Sequence, residues 1–135
     1  MAIANYGHSG AWTESLGIIA PLQEMMLQSW DGSLRIFPAW PTHLSASFHK
    51  FRAEGAFLVS AEKQDEQIEH VLVESLAGSP LSIYNPFHSS EKVEVRDLSA
   101  GEVVKEGVWA EGEIIEISTN KGHIYVIEQV RDDQE

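Results

Sequence analysis

From Ser47 onward, apolar residues recur at every second position, in short runs broken by turn residues. Such alternation places apolar side chains on one face of a pleated strand and polar ones on the other. Phe48, Phe51 and Ala53 lead to Glu54-Gly55, and Ala56 to Glu62 follows as a strand. Lys63-Gln64-Asp65-Glu66 reads as a polar hairpin loop, with Gln67 to Glu74 returning as the partner strand. Ala77-Gly78-Ser79-Pro80 turns the chain into Leu81 to Tyr84, which stops at Asn85-Pro86. Lys92 to Asp97 alternates cleanly, Ser99-Ala100-Gly101-Glu102 turns, and Val103-Val104 follows. Glu113 to Ser118 and His123 to Glu128 read as a hairpin across Thr119-Asn120-Lys121-Gly122. Short strands at roughly ten-residue spacing imply an antiparallel sandwich or barrel. The fold expected is mainly β: an antiparallel β-sandwich with one N-terminal helix.

The segment before Trp30 has a different character. Residues 1 to 12 contain Asn5-Tyr6-Gly7-His8-Ser9-Gly10 and read as a loop. Thr13 suits a helix N-cap and Glu14 its first turn. The run through Leu16, Ile18, Ile19, Ala20, Leu22, Met25, Met26 and Leu27 is apolar on more than one stripe, although Gly17 and Pro21 weaken its middle. Such a helix needs cover on more than one side, and a small β domain covers only one. Leu16, Ile18, Ile19, Leu22, Met25 and Met26 are therefore the expected interface, toward an absent partner or a second copy. Trp30-Asp31-Gly32-Ser33 is expected to end the helix. Ser33 to Phe37 alternates as a strand that Pro38 stops. The division is thus residues 1–30, loop and helix, and residues 31–135, the β domain.

Composition narrows the partners. The chain has 135 residues, enough for one independent core. Its formal net charge of −12 argues against nucleic acid and anionic membrane, which require basic surface. No apolar run reaches the length of a membrane span, and no signal-peptide pattern opens the sequence. There is no cysteine, hence no disulfide and no thiolate metal site.

No catalytic motif emerges. The 21 carboxylates fall mostly on polar strand faces or in turns, as at Glu62, Glu69, Glu74, Glu94, Glu113 and Glu116. His8, His43, His49, His70, His88 and His123 show no metal-ligand spacing. Phosphate-binding glycine loops and a nucleophile elbow are absent from the sequence. No metal, no cofactor and no autonomous enzyme activity are expected. The aromatics remain. Flat tryptophan and tyrosine rings can stack on pyranose faces, and Trp12 and Trp109 are the candidates for carbohydrate contact. Trp30 and Trp40, at a helix–strand seam and beside proline, read as packing at a domain junction rather than as sugar platforms.

The seam Leu22-Gln23-Glu24-Met25-Met26-Leu27-Gln28-Ser29-Trp30-Asp31-Gly32-Ser33-Leu34-Arg35-Ile36-Phe37-Pro38-Ala39-Trp40-Pro41 resembles the C-terminal junction of glycoside hydrolase family 95 and its relatives. These are α-L-fucosidase-type enzymes with an (α/α)6 catalytic barrel. Their last barrel helix ends in a similar "EMLLQS-x-DG" pattern and leads into a β-sandwich. Phe51-Arg52-Ala53-Glu54-Gly55-Ala56-Phe57-Leu58-Val59 resembles the family's "LRARGGF-x-V" strand, and Leu76 to Pro80 with Tyr84-Asn85-Pro86 also fits. The likeness spans roughly residues 5 to 90. It implies that the chain corresponds to the last barrel helix and the accessory sandwich. The family's Asp-Gly-Asn-Phe-Gly motif carries a catalytic aspartate; Asn5-Tyr6-Gly7 matches its end, and the aspartate position falls on Ile3. No catalytic residue is carried over. The function expected is a non-catalytic C-terminal domain that packs on and stabilises a catalytic barrel. The alternatives are a free-standing carbohydrate-binding module using exposed aromatics, or a small protein that self-associates through its helix.

Overall fold

The computed structural model describes residues 22–87 and 91–130. The readings on Trp12, Leu16, Ile18, Ile19, His8, His88 and Asn5-Tyr6-Gly7 lie outside these residues. Ten strands follow a short helical segment at residues 22–26: β1 (Leu27–Gln28), β2 (Arg35–Ile36), β3 (Ala46–Ala53), β4 (Phe57–Gln64), β5 (Gln67–Ser75), β6 (Leu81–Tyr84), β7 (Val93–Asp97), β8 (Glu102–Gly107), β9 (Ile114–Ile117) and β10 (Ile124–Gln129). One layer is a six-stranded sheet in the order β3-β4-β5-β10-β7-β8, antiparallel throughout. The facing layer joins two strand pairs, β1-β2 and β6-β9, through a parallel bridge between Leu34 and Ile83. The Leu34 amide donates to the Ser82 carbonyl at 2.8 Å and the Tyr84 amide to the Leu34 carbonyl at 2.9 Å. This is the expected β-sandwich.

The core follows from the alternation. Phe57, Val59, Ala61, Val71, Val73, Val93, Val95, Tyr125 and Ile127 point inward from the six-stranded sheet. Leu34, Ile36, Leu81, Ile83, Ile115 and Ile117 meet them from the other layer, in one buried cluster. In β3 the period of two slips between Phe48 and Phe51, which keeps both rings facing the core. A β-bulge explains this: Lys50 takes a φ of 56°, and its amide donates to Ser60 Oγ at 2.9 Å. The two rings stack with centroids 4.7 Å apart. The β3–β4 turn needs Gly55 on two counts. Its φ is 92°, and a Cβ there would lie 2.7 Å from the Phe57 ring.

Three local expectations are corrected. The chain leaves the helix before Trp30: Leu27 and Gln28 already form β1, paired with Ile36 and Arg35. Ser29 also turns toward the sheet, its hydroxyl accepting from the Glu54 amide at 3.0 Å. Lys63, expected in an exposed polar loop, is the last inward-facing residue of β4 and is only 4% exposed. Its ammonium donates to the carbonyls of Thr42, Leu44 and Asp65. That shortens the β4–β5 loop to Asp65-Glu66.

The third correction is topological. The strands at residues 114–117 and 124–129 form, but they do not pair with each other. β9 pairs with β6, and β10 lies between β5 and β7. The intervening Thr119 to Gly122 crosses from one layer to the other. Its polar groups are fastened at the crossing. The Gly122 amide donates to the Ser75 carbonyl at 2.7 Å, Ser75 Oγ lies 2.8 Å from Thr119 Oγ1, and the Asn120 amide donates to the Tyr125 hydroxyl at 2.7 Å. Tyr125→Phe removes that acceptor from a fully buried side chain. It is expected to lower the unfolding free energy by about 1 kcal/mol, read as a shift in the urea midpoint with unchanged slope.

Candidate functional site

Two polar constellations stand out. The first is built on the seam. The tight turn Asp31-Gly32-Ser33 brings Asp31 back over β2, where its Oδ2 lies 2.9 Å from Arg35 Nη1. The Arg35 guanidinium lies over the Tyr84 ring at 4.3 Å, and its Nη2 donates to the Tyr84 hydroxyl at 3.1 Å. Its other neighbour is the Trp30 ring, with the guanidinium carbon 5.4 Å from the centroid. Desolvation pushes the Asp31 carboxyl up, but the Arg35 guanidinium and the Ser33 amide outweigh it and hold the group below its ordinary range.

Arg35 and Tyr84 also line a cleft of about 370 Å³, together with Trp40, Thr42, Pro86 and Glu111. Its floor is made by buried groups from both layers, among them Phe37, Lys63, Ile68 and Asn85. Asn85 fixes one wall: its Nδ2 donates to the Trp109 carbonyl at 3.0 Å, and its Oδ1 accepts from the Phe87 amide at 3.2 Å. Trp40 fixes another, its Nε1 donating to the Leu44 carbonyl at 3.2 Å.

The second constellation is Asp97 with His123. Asp97 ends β7 on the buried face and is 1% exposed. Its Oδ2 lies 2.8 Å from His123 Nδ1, and its Oδ1 accepts from the amides of Ser99 and Ala100 at 2.9 and 3.1 Å. Burial pushes the Asp97 carboxyl up, yet His123 and the two amides prevail and hold it below the usual carboxylate range. The pair closes the turn between β7 and β8 and ties it to β10. With both carboxylate oxygens engaged, its arrangement is that of a structural clasp.

Of the residues singled out from sequence, Trp109 is half-buried against the core, with its ring over Gly107. Leu22 is exposed, Met25 is half-buried, and Met26 packs on the core. Trp30, read as packing at a domain junction, is 67% exposed in this chain and is the most exposed large apolar side chain among the described residues. Trp40 does pack against the core while lining the cleft. Among the described residues, no three histidine, aspartate or glutamate side chains gather as a metal would require. No described helix is long and apolar enough to cross a membrane. The chain matches no protein-family model and no curated protein.

Proposed function

We propose that this chain is the non-catalytic C-terminal accessory sandwich of a family 95-like glycoside hydrolase, which packs on the enzyme's (α/α)6 barrel. The seam motif and the strand at residues 51–59 support this reading through their resemblance to that family. The observation that carries it in the fold is the exposure of Trp30 from a braced segment. The Phe37 amide donates to the Met26 carbonyl at 2.6 Å, β1 pairs with β2, and Ser29 is bonded to Glu54. Trp30 and Leu22 are thus presented to solvent from a support that holds the helical segment in place. A rigidly presented tryptophan suits the centre of a protein–protein junction.

The test begins with the DNA upstream of this coding region. It is expected to encode an (α/α)6 barrel with its catalytic carboxylates, in frame or adjacent. An upstream region that encodes no barrel overturns the reading. Co-purification of that barrel with this chain is expected to weaken at least tenfold on Trp30→Ala. The isolated chain is expected to release no sugar from aryl fucosides or galactosides, and measurable release also refutes the proposal.

A further inference from the structure

We propose that the outer face of the smaller layer, along the row Trp30, Arg35, Tyr84 and Ile114, is the surface that the catalytic barrel covers. The inference rests on the reading of this chain as an accessory sandwich, and it names which of the two outer faces meets the enzyme. In β2, β6 and β9 the inward positions include Ile36, Ile83 and Ile115. Their strand neighbours Arg35, Tyr84 and Ile114 therefore point away from the core. Strand pairing aligns them, with Gln28 opposite Arg35 and Tyr84 opposite Ile114. The Arg35 guanidinium connects the two pairs, 5.4 Å from the centroid of the Trp30 ring and 4.3 Å from that of Tyr84. Trp30 at one end and Ile114, 44% exposed, at the other supply the apolar surface.

The polar groups of this row are already engaged within the chain. Arg35 is ion-paired with Asp31 at 2.9 Å and donates to the Tyr84 hydroxyl at 3.1 Å. Gln28 Nε2 donates to the Glu24 carbonyl at 3.0 Å, and the Ser33 and Ser82 hydroxyls lie 2.8 Å apart. A protein surface can exclude water here and strand no charge along the row, and tryptophan, tyrosine and arginine carry much of the energy of such junctions. Glu116, on the last strand of the layer, is left at the rim. The outer face of the six-stranded sheet differs. Glu62, Glu74, Glu94 and Glu128 point outward from four of its strands. Glu94 alone of these has an ion partner among the described residues, Arg96. Covering that face would take uncompensated carboxylates out of water, a cost the smaller layer avoids. The point of attachment agrees. Gln23, Glu24 and Trp30 line one groove, so residues 1–21 join the sandwich beside Trp30. On the accessory-domain reading those residues belong to the barrel's last helix, which fixes the barrel at this corner.

The experiment titrates the full chain and its variants against the barrel encoded upstream. Ile114→Glu is expected to weaken the complex about tenfold or more. Ile124→Glu, at a comparably exposed position on the other outer face, is expected to leave it unchanged. Both positions are exposed, so thermal melts of the two variants are expected to match wild type. Hydrogen exchange supplies a readout that needs no variant. Addition of the barrel is expected to slow exchange across residues 28–35, 82–84 and 114–116, and not across residues 58–62 or 70–74. Binding that Ile114→Glu leaves intact, or protection centred on the six-stranded sheet, overturns the inference while the accessory-domain reading stands. An upstream region that encodes no barrel, or a barrel that does not bind, removes both. A dimer of the chain alone that Ile114→Glu dissociates assigns the face to a second copy and also overturns the inference.

Discussion

Asp97→Ala is expected to destabilise the fold by about 3 kcal/mol, because one carboxylate serves three donors from a buried position. The Ser99 and Ala100 amides lose their acceptor and His123 loses its partner, so the β7–β8 turn and the entry to β10 loosen together. Asp97→Asn separates charge from geometry. The amide oxygen can still accept from the turn, and the expected loss is about half as large. The effect depends on pH in a definite sense. The folded-state pKa of Asp97 is lowered from its ordinary value near 3.8. The stabilisation is therefore fully present above that value and is lost as pH falls through the lower, folded-state pKa. Denaturant melts of wild type and Asp97→Asn are thus expected to differ at neutral pH and to converge below about pH 4. A gap that stays constant into the acid range would show that the ionised carboxylate is not what stabilises the turn.

Lys63→Ala is expected to cost a similar 3 kcal/mol or so, for a different reason. The aliphatic stem fills core volume at the end of β4, and the ammonium gathers three carbonyls from two separate segments. Lys63→Met retains most of the stem and loses only the cation, so its expected cost is about 2 kcal/mol. Hydrogen exchange should locate the damage. Faster exchange is expected across residues 41–45 in both variants, whereas the β7–β8 turn should be unaffected. Equal protection of residues 41–45 in wild type and Lys63→Met would mean that the ammonium does not anchor that segment.

These two residues also show where sequence reasoning stopped. The sandwich was legible because Phe57, Val59 and Ala61, or Val93 and Val95, repeat at the pleat's own period, and their burial follows from it. Lys63 continues that period in β4, but lysine in a polar run carries no sign that three carbonyls await it. The β9–β10 connection shows a second limit. Thr119-Asn120-Lys121-Gly122 reverses the chain equally well within one sheet or between two. The choice is made by partners far away in sequence: Ser75 for the loop, and β5 and β7 for β10. Leu27 shows a third. Its apolar character suited a helix face as well as a strand, and pairing with Ile36 decided the matter. The cleft was not legible, because Arg35, Trp40, Tyr84 and Glu111 sit on four segments that only the sandwich brings together. Trp30 reads from sequence as packing at a domain junction, and within this chain its side chain is 67% exposed.

The placement of β10 has a consequence for how the chain is made. The last described strand lies in the middle of the six-stranded sheet, between β5 and β7. The ladders β3-β4-β5 and β7-β8 are local hairpins that need only short loops. They cannot join into one sheet until residues 124–129 have been synthesised and inserted between them. On the ribosome, the two half-sheets would each wait with an unpaired strand facing outward, a state prone to mispairing with other chains. Cutting the chain before residue 124 would therefore divide the sheet through its centre, where loss of a peripheral strand such as β8 would only narrow it.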